Sequence, residues 1–432
     1  MILTECYDVN EKNNLTCGGA DTVEIAKEYG TPCYVIDENT VRKNCRVYKE
    51  AMKDFFGEGS MPLYASKALS FKEIYRIVAE EGLGIDVVSP GELYTAKSAG
   101  FPMEKAYFHG NNKTDKDIDM ALDAGIGYFV VDNREELDSL DEKAGKRGIV
   151  QKILLRITPG IDPHTHKAIM TGNVDSKFGT AIETGQAIEF VGYALTKKNV
   201  QLDGFHIHIG SQIFEIDPFC DGAEIMIKFI KDVYSKFGVQ MKVLNLGGGF
   251  GVPYVEEDPK IDYRENIKNI SERIKKICAD SNVEMPNILM EPGRSLVAAA
   301  GLTLYTVGSV KEITGFKNYV SIDGGMPDNP RYALYSSQYT ALIASRPLAP
   351  KTYRCTIAGR CCESGDLIAE NIDIQPCKKG DILAVLTTGA YNYSMASNYN
   401  RILKPPVIMV KDGNTRLAVK GETFEDLIRN DL

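Results

Sequence analysis

Three things are scarce in this chain of 432 residues. No apolar stretch reaches the length of a membrane-spanning helix. No run of lysines or arginines offsets the net charge of −9, so nucleic-acid binding lacks electrostatic support. None of the ten cysteines forms a Cys-x-x-Cys pair, and the adjacent Cys361 and Cys362 lack the spacing of a zinc ribbon or a redox motif. The opening segment "MILTECYDVNEKNN" carries early acids and no long apolar core, unlike a secretory signal. Cysteines without such a signal point to reduced thiols. These absences predict a cytoplasmic protein that works on a small molecule, without membrane or nucleic acid.

What is present is an ordinary globular composition, with 44% hydrophobic and 25% charged residues, in a chain long enough for two domains. Short apolar runs alternate with amphipathic stretches over most of the first two-thirds. Candidate strands begin at "PLYAS" (62), "IDVVS" (85), "YFHG" (107) and "GYFVV" (127). They continue at "KILLRI" (152), "GFHIHI" (204), "KVLNL" (242) and "NILME" (287). Helical spacing falls between them over 114–124, 134–147, 182–195, 219–237 and 262–280. Eight strand–helix units in about 250 residues predict a (β/α)8 barrel over 37–297, with a doubly wound open sheet as the alternative. After residue 300 the pattern changes to period-two strands between Gly- and Pro-marked turns. This predicts an antiparallel β-sandwich or barrel over 298–432, to which 1–36 adds the strand "TPCYVID".

Barrel enzymes place their chemistry where strands run into the loops that follow. The strand ends read, in order, Lys67, Ser89, His109 with Asn111, Asp132, Arg156, His208 with Ser211, Gly247-Gly248-Gly249, and Glu291 with Arg294. Lys67 has only small neighbours in "YASKALS"; a solvated loop lysine is the plain reading of it alone. The triple glycine of "NLGGGFG" lets backbone N–H groups approach an anion closely, although a tight turn also explains it. It is neither a Walker loop nor a dinucleotide fingerprint.

His206 and His208 in "FHIHIGSQ" stand two apart on a strand, hence on one face, and could ligate zinc. That reading needs a third ligand, and the other candidates, His164 and His166, fall in a loop. A flat imidazole stacked on an aromatic cofactor, with no metal, suits a phosphate site better. In "EPGRS", Glu291 and Arg294 could form a structural ion pair. Taken together, a lysine able to form a Schiff base, a phosphate cradle, a flat partner and a carboxylate for a ring nitrogen are what pyridoxal phosphate requires.

Ordered motifs along nearly the whole chain carry a resemblance: "YASKA", "GIDVVSPGEL", "FHGNNKT", "TGNVDSKFG", "FHIHIGSQ", "LNLGGGFG", "EPGRS", "CCESGD" and "GAYNYSMASNYN". In these the chain resembles the diaminopimelate decarboxylases, barrel-type pyridoxal-phosphate enzymes akin to ornithine and arginine decarboxylases and alanine racemase. The resemblance implies that Lys67 holds the cofactor, that His208 stacks on its ring, and that Ser211 and Gly247–Gly249 bind its phosphate. Glu291 and Arg294 stand beside it. Arg294, Arg331 and Tyr335 correspond to substrate-carboxylate ligands, and Tyr391 to a tyrosine touching cofactor and substrate. Cys362 corresponds to the catalytic cysteine and Glu363 to the acid that binds the substrate ammonium. The resemblance further implies a homodimer in which Cys362 and Glu363 reach the partner's site.

Three departures bear on the pocket: "SPGEL" in place of Gly-Gly-Glu-Leu, Tyr332 beside Arg331, and the histidine missing from "SSQYTAL". The expected reaction is decarboxylation of meso-diaminopimelate to L-lysine, the last step of lysine biosynthesis. The alternatives are another basic amino acid (carboxynorspermidine, arginine or ornithine) or a non-catalytic cofactor-binding homologue.

Overall fold

The computed structural model describes residues 5–160 and 176–432. The chain forms two compact units. One comprises Cys45–Gly251 and Ile261–Gly293; the other comprises Met1–Asn44, Val252–Lys260 and Arg294–Leu432.

The first unit is built on eight strands, Met61–Ala65, Gly84–Val87, Ala106–Phe108, Tyr128–Val131, Gln151–Thr158, Val200–His206, Val243–Asn245 and Asn287–Met290. Each pairs in parallel with the next, and the last pairs with the first, so the sheet closes. Closure decides for the (β/α)8 barrel and against the open sheet. The eight strands are those the apolar runs predict. One buried cluster draws on six of them: Leu63, Tyr107, Val130, Leu154, Val243 and Leu289. It is the filled interior expected of such a barrel.

Helices follow the strands where apolar residues recur at helical spacing. In Lys72–Glu80, Ile74, Tyr75, Ile77 and Val78 are buried. Side-chain caps start several of them. Ser89 accepts from the Glu92 N–H, Thr114 from Asp117, Asn133 from Glu136 and Asp262 from Glu265. Each cap fixes where a strand-end loop stops and so how long it is. No helix among the described residues is long and apolar enough to cross a membrane.

The second unit centres on the long strand Gly301–Glu312, paired antiparallel with Cys33–Asp37, Asn318–Ile322 and Ile382–Leu386. The N-terminal "TPCYVID" strand thus belongs to this sheet, as its sequence suggests. The sheet is not wholly antiparallel. Cys33–Asp37 pairs in parallel with Val407–Lys411, and Asn318–Ile322 with Tyr353–Ala358. Both pairs are joined by long connections rather than hairpins, which frees them to run parallel. Its core gathers Leu15, Cys17, Cys33, Val35, Leu302, Leu304, Leu342, Leu386, Ile408 and Val410.

Candidate active site

In the barrel unit, the polar strand ends meet at one rim. Lys67 occupies the short turn Ser66–Ala68 after the first strand, exposed between two buried neighbours. Its charge acts on Asp86, Glu92 and His208. The "EPG" turn packs against the same strand end. The Ala65 N–H donates to the Pro292 carbonyl at 3.2 Å, and a Cβ at Gly293 would lie 2.9 Å from that of Ala65.

The glycine loop admits no side chains. Gly247 and Gly249 have φ of +70° and +117°, and a Cβ at Gly248 would stand 2.1 Å from the Glu291 carbonyl oxygen. The loop is zipped to the one carrying Ser211. The Ile213 N–H donates to the Gly249 carbonyl at 2.9 Å, and the Gly251 N–H to that of Ile213 at 2.8 Å. The Gly248 N–H donates to His208 Nδ1 at 3.3 Å. Desolvation, helped by the charges of Lys67 and Arg156, holds the His208 pKa well below the usual histidine range, so the ring is neutral.

Behind the cradle, three side-chain nitrogens approach the buried Glu291 carboxylate. Oε1 accepts from Asn245 Nδ2 at 2.6 Å and lies 3.0 Å from His109 Nε2; Oε2 lies 3.3 Å from His206 Nε2. Burial alone would raise its pKa, but the two histidines outweigh burial and hold it well below the usual carboxylate range. Burial pushes His206 down to about 3, which makes it a neutral donor. Asp86, whose Oδ1 lies 3.8 Å from His109 Nε2, is pushed up by burial, and so is Glu92, to about 7. The rim therefore holds one firmly ionised carboxylate among others that burial biases toward the protonated form.

The zinc pair considered from sequence is not the pair the fold assembles. The strand ends at His206, so the alternation that would put His208 on the same face stops there. His206 turns to Glu291 and His208 to Gly248. His109, His206 and Glu291 do offer three donor atoms within 4.8 Å of one another, a grouping a metal ion could use. His164 and His166 lie outside the described residues, as does part of "TGNVDSKFG".

In the β-rich unit, two buried arginines share a nest of tyrosines. Arg294, opening the helix Arg294–Val297, donates from Nη1 to the Tyr254 hydroxyl at 2.7 Å and lies 4.8 Å from the Tyr391 ring centre. Arg331, opening Arg331–Tyr335, lies 5.5 Å from the rings of Tyr335 and Tyr391 and 5.8 Å from Tyr254. Its Nη2 donates to Ser337 at 3.1 Å, and its buried Nε has no hydrogen-bond partner. Tyr391 holds a left-handed backbone, φ +60°, of the kind concentrated at functional sites. Cys362 and Glu363 stand on an exposed turn; the Cys362 N–H donates to Asn400 Oδ1 at 2.8 Å.

Tyr254, Asn245, Asp86 and Glu92 have no assigned role in the sequence reading. For Asp86 and Asn245 a signal existed, a polar residue inside an apolar strand ("GIDVV", "VLNLG"). For Tyr254, in a loop, there was none.

Residues 38–298 match the family model for the pyridoxal-binding domain of the pyridoxal-dependent decarboxylases. The chain is 47% identical over 412 residues to the diaminopimelate decarboxylase of Bacillus methanolicus, covering 95% of each. It is 46% identical to that of Bacillus subtilis, over 98% of this chain and 96% of the relative. Among solved structures, the diaminopimelate decarboxylase of M. jannaschii in complex with L-lysine superposes with a TM-score of 0.92 at 34% identity, over 100% of this chain and 99% of the other. The chain belongs to the pyridoxal-dependent decarboxylases and, within them, to the diaminopimelate decarboxylases.

Proposed function

We propose that this chain decarboxylates meso-2,6-diaminopimelate to L-lysine and CO2, using the residues of the barrel rim and of the arginine–tyrosine nest. The observation that carries the substrate class is the pair of buried guanidiniums, Arg294 and Arg331, in a setting of tyrosines. A buried arginine is best satisfied by a carboxylate, and this substrate brings two.

The barrel rim fits pyridoxal phosphate. Glycines 247–249 leave N–H groups where any Cβ would collide, which suits the phosphate, and Ser211 adds a hydroxyl. Lys67 is the amine for the aldehyde, and neutral His208 offers a flat face. When bound, the cofactor supplies a sink for the electron pair left on Cα as CO2 departs. Glu291, held ionised by His109, His206 and Asn245, would favour a proton on the cofactor's ring nitrogen by its negative charge. Cys362 delivers a proton to Cα in place of the lost carboxylate. Tyr391 and Arg294 orient cofactor and substrate. Arg294, Arg331 and Tyr335 hold the retained carboxylate, and Glu363 the distal ammonium.

Cys362 and Glu363 stand exposed, which suits a homodimer in which each serves the partner's site. The protein works in the cytoplasm. Incubation with meso-diaminopimelate should yield CO2 and L-lysine in equal amounts; no lysine would sink the proposal. For the shared site, Lys67→Ala and Cys362→Ala should each be nearly inactive. Re-paired at random, they should recover up to about a quarter of the parent activity, since half the dimers then hold one intact site. No recovery in proven heterodimers would put both residues in one subunit's site.

A further inference from the structure

The turn that carries Cys362 and Glu363 is exposed, yet its backbone is gripped from both sides. Asp366, only 2% exposed, accepts the Cys361 N–H on Oδ2 at 2.7 Å and the Met326 N–H on Oδ1 at 2.6 Å. Its own N–H donates to the Glu363 carbonyl at 3.1 Å, and its carbonyl accepts from Gly359 at 2.8 Å, closing the turn on itself. The next N–H along, that of Cys362, goes to Asn400 Oδ1 at 2.8 Å, and Asn400 takes a left-handed backbone, φ +52°, in doing so. Two consecutive backbone donors thus end on two different side chains.

The Asp366 carboxylate is also closely housed. A Cβ at Gly325 would fall 2.5 Å from Oδ1 and one at Gly359 2.2 Å from Oδ2, so the chain keeps glycine on both sides of it. A second strap runs beside it, from the Arg360 N–H to the Gly324 carbonyl at 3.0 Å. Met326 lies five residues before Arg331. One buried carboxylate therefore ties the loop leading to Arg331 to the turn bearing Cys362 and Glu363.

We propose that Asp366 and Asn400 are positioning residues for the decarboxylation. Asp366 sets the Cys362–Glu363 turn against the loop of Arg331 from one buried carboxylate, and Asn400 fixes the peptide of Cys362 itself. The proposal rests on the reading that Cys362, Glu363 and Arg331 act on the substrate. A carboxylate can accept at both oxygens; an amide must turn its NH2 toward one of the two N–H groups and lose that bond. The Cys361 thiol reports on the carboxylate, since burial and then the Asp366 charge push its pKa up to about 12.

Four variants test this: Asp366→Asn, the exposed Asn400→Ala, and each of these combined with Glu363→Gln, the doubles read against Glu363→Gln alone. Asp366→Asn should retain cofactor absorbance and lose at least about 30-fold in kcat/KM, mostly in kcat. Asn400→Ala, which threatens no buried group but puts alanine at a left-handed backbone position, should lose about 3- to 10-fold with its Tm lowered by no more than a few degrees. In the Glu363→Gln background both losses should shrink, whereas a merely structural role would leave them undiminished. Cys361 should be alkylated at least about tenfold faster in Asp366→Asn, measured against Cys362 in the same molecule.

Parent-like kcat/KM in Asn400→Ala, or a loss in Asp366→Asn that is undiminished in the Glu363→Gln background, would overturn the proposal. If Asp366→Asn fails to fold, Asn400→Ala alone decides the matter. If the parent does not act on diaminopimelate, the substrate reading fails instead. The Cys361 alkylation ratio, which needs no substrate, then decides for or against the Asp366 grip.

Discussion

The barrel rim and the arginine–tyrosine nest gather their polar groups by different construction. At the rim, polar groups stand on strands or within a few residues of their ends, and their protonation states are set by neighbours on other strands of the closed sheet. Glu291 on the eighth strand's exit meets Asn245 from the seventh, His206 from the sixth and His109 after the third. In the nest, the key groups open very short helices or sit in loops: Arg294, Arg331, Tyr254 and Tyr391. They are held by ring faces rather than by paired charges. A closed sheet fixes positions through its ladder of backbone bonds, whereas a loop fixes them through side-chain packing. The rim should therefore govern whether the cofactor stays, and the nest which substrate is accepted.

Lys67→Ala gives the largest expected effect on that division. Activity should fall on the order of 10⁴-fold, as when a covalent group is removed. The protein should lose its yellow colour, while borohydride treatment of the parent should fix the cofactor to the Lys67 peptide. Labelling of a different lysine would break the assignment.

Arg331→Ala comes next, and it should separate the two regions. We expect kcat/KM to fall about 10²- to 10³-fold, because a retained carboxylate would be left unpaired, with the absorbance of bound cofactor intact. If the cofactor is lost as well, the proposed division between rim and nest is wrong.

The smallest effect is a pH slope. Burial pushes the folded His206 pKa down to about 3, against about 6.5 for an ordinary histidine. Between those values the unfolded chain binds a proton that the folded one does not, so stability falls as pH drops through that window. The slope is at most about 1.4 kcal/mol per pH unit for one group. Glu291, held low by His109 and His206 against burial, adds loss in the same direction as pH falls below the usual carboxylate range. His206→Gln should flatten the decline in the barrel's urea midpoint between pH 6.5 and 4.5. An unchanged decline would mean that His206 does not carry it.

The contrast between the regions also explains what the sequence made legible. Strand ends are periodic, so Lys67, His208, the glycines and Glu291 could be placed on one rim from alternation and repeat length alone. Arg331, Tyr335, Tyr391, Cys362 and Glu363 carry no periodic signal and were reached only through whole motifs. Tyr254 escaped altogether. It sits between the seventh barrel strand and the following helix in sequence, yet packs with Arg294 and Arg331 in the β-rich unit, a long-range contact that no local pattern encodes. Which neighbour the His206 ring meets was equally hidden, because it depends on where the strand stops.

The most direct measurement is a comparison of kcat/KM for CO2 release from meso-diaminopimelate, lysine, ornithine, arginine and carboxynorspermidine by the purified protein. A site that pairs buried charges rejects analogues that leave them unpaired, often by about 10⁴-fold. Diaminopimelate should exceed lysine and ornithine, which lack the distal carboxylate, by roughly that factor. A higher kcat/KM on any other substrate of the panel would contradict the assignment.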